Sequence, residues 1–406
     1  MRALDDIVVL DLSRVLAGPW CTQNLADLGA TVIKVEKPGA GDDTRGWGPP
    51  FLKDPQSGER GDAAYYLAAN RGKHSITVDM ATEEGQRILR DLARQADVVI
   101  ENYKLGGLKK YGLDYDSLKA INPRLIYCSI TGFGQTGPYA PRAGYDYLIQ
   151  GMGGLMSVTG ERDDLPGGGP QKAGVALADV MTGLYATIAI LGALHQRDRS
   201  NEGQYIDLAL LDVQVATLAN QALYYLVSGE APVRMGNGHA VVVPYQVFHC
   251  ADGHAIIAVG NDGQFAKLAA ELGHPEWASD ERFASNSARV ANRDALIPLI
   301  EAETRKRPMA DLIAGLEKRA VPCGPINTID KVFADPHVKA RGLQKEVPHI
   351  RQGKVPTVAS PLRLSASPVS YDRGPPLLGQ DTDEVLRTRL GLKEADLAAL
   401  RKKGVI

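Results

Sequence analysis

Two β-rich runs, Ile7-Val8-Val9-Leu10-Asp11-Leu12 and Thr31-Val32-Ile33-Lys34-Val35-Glu36, flank a stretch of helical spacing from Pro19 to Leu28. Strand, helix and strand in so short a span favour one arrangement: the strands lie parallel and the helix crosses one face of their sheet. The alternation continues with a helix at Glu83–Gln95, a strand at Asp97–Ile100, a short helix at Tyr115–Ile121 and a strand at Leu125–Ile130. The predicted fold class is α/β with a doubly wound parallel sheet.

The texture changes further on. Gln196–Glu202 is a charged surface connection, and Tyr205–Ser228 has mostly helical spacing. Val241–Ala258 alternates as a hairpin turning at Ala251-Asp252-Gly253, and helices are expected at Gln264–Leu272 and Ala295–Thr304, a second α/β domain. From Val332 the chain is rich in Pro and basic residues, with a β-like piece at Thr357–Leu364 and a closing helix at Thr382–Leu390.

Ala173–His195 is apolar or small apart from Asp179 and approaches the roughly 20 residues that span a bilayer. A buried helix is the preferred reading, because Asp179 lies near its start, Gly183 and Gly192 interrupt it, and no second span accompanies it. Lys plus Arg number 46 against 48 acids, so no global field attracts nucleic acid or an acidic membrane, and neither is expected as a partner. Cys21, Cys128, Cys250 and Cys323 are far apart, which suggests neither a zinc site nor a disulfide framework; no metal is expected, and a reducing cytoplasm fits.

Glu36 ends the second strand where a dinucleotide-binding protein carries its ribose-binding acid. The loop after the first strand argues against that chemistry: Leu12-Ser-Arg-Val-Leu-Ala-Gly-Pro19 has one glycine where three would bring backbone against a pyrophosphate. The same residues resemble something else. Asp11–Pro19, Leu28–Glu36, Pro38–Arg45, Glu101-Asn102-Tyr103, Ser129–Pro138, Gly144-Tyr145-Asp146, Val321–Pro325 and Pro376–Thr382 fall in the order shown by the family III CoA-transferases, the CaiB/BaiF group that includes formyl-CoA transferase. The resemblance covers nearly the whole chain. It implies a large domain made from both chain ends (1–200 and 329–406, the latter beginning as a return linker), a linker helix at 201–225, a small domain at 226–328, and two protomers interlocked as a homodimer.

The resemblance places the family's catalytic aspartate at Asp179, in Val175-Ala-Leu-Ala-Asp-Val-Met-Thr-Gly183. An isolated Asp at a helix start is commonly an N-cap. Here apolar surroundings make an ionised group costly, so a nucleophile is the stronger reading, with the helix N-terminus expected to keep the carboxylate ionised. A carboxylate suits acyl transfer that must conserve thioester energy, since aspartyl anhydride and aspartyl-CoA thioester intermediates are both high in energy. CoA thioester is then a substrate, together with a carboxylic acid, and no permanently bound cofactor is expected. The CoA contacts implied are Arg14, Val15, Ala17, Lys37, Arg71, Lys73, Asn102, Tyr103, Lys110 and Tyr145, with Lys104 and Lys109 left as solvated charge. The substrate and lid residues implied are Leu16, Arg45, Gly236, Asn237, Gly238 and His239; a hairpin turn is the plain alternative for Gly236-Asn237-Gly238.

Arg14 and Leu16 replace a His and a Gln of formyl-CoA transferases, which argues against formate and oxalate. Arg14–Pro19 and the Gly236–Phe248 segment instead resemble the succinyl-CoA:glutarate (3-hydroxymethylglutarate) CoA-transferases of the family, so succinyl-CoA and a short dicarboxylate are the expected pair. Two alternatives stand beside this. An α-methylacyl-CoA racemase needs two bases, and Tyr145 stands where racemases carry a His; tyrosine is a poor base near neutral pH. A non-catalytic acyl-CoA-binding protein would gain stability by losing a buried Asp.

Overall fold

In the computed structural model, which describes residues 2–406, the opening runs become β1 (Val8–Asp11) and β2 (Thr31–Glu36), parallel, with Val9 opposite Val32. Helix α1 (Ala17–Asp27) crosses between them. β3 (Lys73–Thr77), β4 (Val98–Glu101), β5 (Ile126–Thr131) and β6 (Tyr205–Ala209) extend this pair to a six-stranded sheet in the order β3-β2-β1-β4-β5-β6, every neighbour parallel. Crossovers cover both faces, so the central strands read as nearly continuous apolar runs: Val98, Val99 and Ile100 are all fully buried. The strand order reverses between β1 and β4, and the loops leaving their C-terminal ends part there to leave a crevice.

The chain divides into two units. The sheet belongs to the first, which gathers the residues up to Leu155, Ala173–Val227 and His337–Ile406. One face of the sheet packs Ile88, Leu89 and Leu92 of α2 (Glu83–Ala93) and Leu118 of α3 (Tyr115–Ile121). The same core takes Val385, Leu386, Leu397 and Leu400 from helices Thr382–Leu390 and Glu394–Lys402, so the last residues of the chain complete the layer begun by the first. Ser75 and Asp381 exchange backbone and side-chain hydrogen bonds that fix this return. The other face packs Cys21 and Leu25 of α1 with Ala186, Ile190, Ala193 and Leu194 of α5 (Leu177–Ser200). α5 is long and apolar enough to cross a membrane by length and composition. Its face of Ala178, Thr182, Ala186 and Ile190 is instead buried within the layer, and Arg197 near its end pairs with Asp97 at 2.9 Å.

Two expectations need correction. Residues 201–225 are not a linker helix: Tyr205–Ala209 is the edge strand β6, paired with Tyr127–Thr131, and helices follow at Leu210–Ala216 and Asn220–Ser228. A five-residue strand running straight into a helix leaves no break in the apolar pattern to mark it. Thr357–Leu364 contributes only its first two residues to a strand, Gly353–Val358, which pairs with Gln344–His349.

The second unit comprises Met156–Lys172 and Ser228–Pro336, so 156–172 and 329–336 fall outside the divisions expected for them. It is built on a three-stranded antiparallel sheet with Tyr245–His249 and His254–Ala258 as the expected hairpin and Cys323–Pro325 beside it. Phe248, Ile257, Phe265, Leu296, Leu312 and Leu316 form its core. Arg289 is fully buried there, donating to Val243 O, Phe283 O and Asp262 and lying over the Phe265 ring, so each of its polar edges is used.

Candidate active site

The crevice is a cavity of about 1010 Å³. Its walls are Arg14–Ala17 after β1, Lys37 after β2, Val78–Ala81 after β3, Asn102–Gly107 and Lys110 after β4, and Thr131, Gly132, Ala140 and Arg142–Tyr145 after β5, with Asp179 from α5.

A buried ionic network shapes the first wall. Asp11 ends β1 fully buried and accepts from Ser13 N (2.9 Å), Ser13 Oγ (2.5 Å) and Thr22 Oγ1 (2.5 Å). Lys34 and Asp42 pair at 2.9 Å, both side chains without exposure, and the Asp42 carboxylate accepts from Val15 N at 3.3 Å. Asn102 brackets Arg14, accepting from its N–H at 2.9 Å and donating to its carbonyl at 2.7 Å. Val15 lies at φ +71°, a conformation that costs a β-branched residue free energy and that this network holds in place.

Asp179 is the third residue of α5, and the helix N-cap is Ala176, so it caps nothing. Its backbone N–H donates to Asp146 Oδ2 at 3.2 Å, while Asp146 Oδ1 accepts from Gln150 Nε2 at 2.7 Å. Burial and the neighbouring Asp146 charge push the Asp179 carboxyl up to about 7. This corrects the expectation that the helix N-terminus keeps it ionised: desolvation and a like charge outweigh the dipole, and among the described residues no cation pairs with it. Its own burial, and after that the charges of Asp179, Asp146 and Asp42, raise the pKa of Tyr65, whose ring meets Trp47 edge-on at 5.4 Å.

Three glycines, in two close approaches, permit this placement. A Cβ on Gly183, one turn beyond Asp179, would stand 2.7 Å from Ala17 O and 3.0 Å from Trp20 Cβ, so its absence lets α5 lie close against α1. Gly132 and Gly144 cross backbone to backbone, a Cβ on either falling 2.5 Å from the other's Cα, and this crossing carries Tyr145 and Asp146 to the start of α4 (Asp146–Met152).

Arg14, Val15, Leu16, Ala17, Lys37, Asn102, Tyr103, Lys110 and Tyr145 thus line one cavity with Asp179. Three expected cations do not. Arg71 is buried in a two-point pair with Asp27 (2.9 and 2.5 Å) and also donates to Val358 O. Lys73 is fully buried, donating to Asn70 (2.9 Å), Pro19 O (3.0 Å) and Asp11 (3.3 Å). Arg45 is buried against Glu36 (2.7 and 2.8 Å), Asp62 (2.9 Å) and the Tyr66 hydroxyl. Their cationic sites are saturated by the fold, and Glu36, the residue at the ribose-binding position, is spent on Arg45. Gly236, Asn237, Gly238 and His239 belong to the second unit, where Gly236 N donates to Gly160 O and Arg293 donates to His239 O at 2.7 Å.

Sequence reasoning passed over Val78–Ala81, Trp47, Tyr65 and Arg142, and set Lys104 aside. Arg142 lies two residues from the Gly144-Tyr145-Asp146 motif, the one hint available; Val78–Ala81 follow an ordinary strand and carry none. Among the described residues, Lys37, Lys104, Lys110 and Arg142 have no acidic partner within ion-pairing distance, whereas Arg14 pairs with Asp43 at 3.0 Å, both about half exposed. A long, cation-rimmed crevice with one carboxyl of raised pKa can take an extended polyanion and offer an acyl acceptor at Asp179. No group of three or more His, Cys, Asp or Glu able to hold a metal occurs among the described residues.

Residues 4–382 match the family model described as CoA-transferase family III. A succinate–glutarate CoA-transferase of Agrobacterium fabrum is 55% identical over 383 residues, covering 94% of each chain. A succinyl-CoA:glutarate CoA-transferase of Mus musculus is 43% identical over 406 residues, all of this chain and 91% of the other. A crystal structure of a CaiB/BaiF family protein from Brucella suis superposes with a TM-score of 0.85 at 56% identity, covering 96% of this chain and all of that one.

Proposed function

Since the chain belongs to CoA-transferase family III, we propose that it moves coenzyme A from succinyl-CoA to a short dicarboxylic acid of glutarate size, with Asp179 as the attacking carboxylate. The observation that carries this reading is the position of Asp179: a partly buried carboxyl with no counter-ion, at a crevice whose rim holds four cations without acidic partners.

The Asp179 carboxylate adds to the donor thioester carbonyl, and the C–S bond breaks to give a mixed anhydride and CoA thiolate. Thiolate then adds to the aspartyl carbonyl, the anhydride C–O bond breaks, and the donor acid leaves as its carboxylate. The acceptor carboxylate repeats the two steps in reverse order, which frees Asp179 and forms the new thioester. No net proton is taken up. Burial that raises the basicity of Asp179 also strengthens it as a nucleophile and limits hydrolysis of both intermediates. Lys37, Lys104 and Lys110 are the proposed partners of the CoA phosphates.

The proposed partners of the acceptor's distal carboxylate are Arg14 and Arg142, which line the cavity; Arg45, expected at the substrate site, is held by Glu36 and Asp62. The reading extends to an interlocked homodimer, supported by α5 and the helix Asn220–Ser228, which leave Ile188, Leu226 and Val227 63, 71 and 84% exposed.

The test is turnover from succinyl-CoA with glutarate, butyrate, oxalate and formate as acceptors, in the wild type, Arg14→Met and Arg142→Met. A guanidinium left unpaired by butyrate should favour glutarate by about 2–5 kcal/mol, and one of the two variants should narrow that gap. Equal use of butyrate and glutarate removes the dicarboxylate and leaves the CoA-transferase. Release of CoA separates transfer from mere acyl-CoA binding, and exchange of the α-hydrogen for deuterium would reveal a racemase.

A further inference from the structure

Behind the loop that follows β4 lies a second cavity, of about 350 Å³, with a different lining. Its buried wall is Glu101 at the end of β4 (6% exposed) with Tyr127 and Ser129 of β5 (2% each), and Tyr115 of α3 and Tyr205 of β6 close its sides. The Tyr115 and Tyr205 rings lie 5.1 Å apart, and Tyr127 lies 5.9 and 5.8 Å from them. Glu101 Oε2 accepts from Tyr103 N at 2.7 Å and the carboxyl is bonded by the Ser129 hydroxyl, which itself accepts from Gln135 Nε2 at 3.0 Å. A carboxylate offers about four acceptor positions, and these bonds use only part of them. No cation lies within ion-pairing distance of Glu101 among the described residues, and burial without a counter-charge pushes its carboxyl up to about 7.

We propose that this cavity binds a small organic ammonium, its charge against Glu101 and its apolar body against the tyrosine rings. A buried carboxylate lacks only a counter-ion to be satisfied, and tyrosine faces attract a cation that carbon would otherwise repel from such a site. Lys104, Lys109, Asp114 and Asp116 also line the cavity, and Glu101 is the one buried charge-bearing side chain among them.

The site is coupled to the large crevice by a shared wall. Tyr103, Lys104, Leu105, Gly106 and Gly107 line both cavities, so a ligand behind the loop biases the conformations open to it in front. Coupling of this kind is reciprocal: whatever factor the ammonium applies to CoA affinity, CoA applies to the ammonium.

Calorimetric titration of the full chain with benzylammonium and with benzyl alcohol, its neutral analogue, tests the site and uses no acyl donor, so its outcome is separable from that of the proposed transfer reaction. Benzylammonium should bind at least tenfold more tightly, Glu101→Gln should erase the preference, and Tyr115→Ala, at the partly buried side, should weaken benzylammonium severalfold even if the Glu101 variant fails to fold. The CoA dissociation constant should change severalfold at saturating benzylammonium. Absence of benzylammonium binding, equal affinity for the two probes, an intact preference in Glu101→Gln, or competitive displacement by CoA overturns the site, and an unaltered CoA affinity overturns the coupling.

Discussion

Asp179 and Asp146 share a few ångströms at the start of α5, and their charges oppose each other. The folded Asp179 carboxyl titrates near 7 against an ordinary value of 3.8, so the folded state holds its proton more tightly than the unfolded chain does. Folding is therefore unpenalised below about pH 4 and loses stability as pH rises toward and through 7. Asp179→Asn avoids that loss: thermal melts should show it more stable than wild type by about 1–3 kcal/mol at pH 8, a figure reduced for partial exposure, with the difference vanishing as pH falls below the ordinary carboxyl value of 3.8. Transfer should be abolished in the same variant, and turnover near the wild-type rate would end the nucleophile assignment. In the wild type, turnover should rise with pH through about 7 as the carboxylate forms. Asp146→Asn removes the like charge and should move that rising limb to lower pH; a limb that stays in place would show that burial alone sets it.

Elements carry the next set of constraints. The switch between β1 and β4 opens the crevice, but the positions of its walls depend on two close approaches and one buried network. Gly144→Ala drives a Cβ to 2.5 Å from the Gly132 Cα, and the loop bearing Tyr145 and Asp146 must shift. Overpacking of this kind costs about 1–3 kcal/mol, and kcat should fall more than stability because Asp146 moves relative to Asp179. Circular dichroism melts paired with turnover distinguish this from plain unfolding. Arg45 belongs to the same scaffold: Arg45→Met strands Glu36 and Asp62 and should cost about 3–5 kcal/mol in denaturant titration, with no selective change in acceptor preference. A stable Arg45→Met enzyme with altered selectivity would return Arg45 to the substrate site.

At the scale of the whole molecule, the exposed apolar residues matter most. Leu184, Tyr185 and Ile188 on α5 and Leu223, Tyr225, Leu226 and Val227 on the helix Asn220–Ser228 are large apolar side chains left exposed, the kind of surface that association covers. Equilibrium sedimentation should find a homodimer and no monomer at assay concentrations, and Leu226→Glu with Val227→Glu should shift that equilibrium or reduce solubility. A well-folded monomer with these helices bare would refute the interlocked arrangement while leaving transfer chemistry intact.

The alternation of β-rich and helical runs was enough to determine the parallel sheet, because strand–helix–strand spacing admits few chain paths. The ordered motifs determined the family and led to Asp179 and to the loops at Arg14, Asn102 and Tyr145. Periodicity could not separate β6 from the helix that follows it, since five residues carry too little pattern. Nor could residue type distinguish Arg45, Arg71 and Lys73 from Lys37 and Lys110. All are cations beside family motifs, and what separates them is whether a carboxylate lies within 4 Å, which depends on strands and loops distant in sequence. The protonation of Asp179 was decided the same way. Its helix position favours the charge, yet the surrounding burial and Asp146, brought in by the crossing of Gly132 and Gly144, favour the proton, and desolvation with a like charge at short range exceeds the pull of one helix terminus.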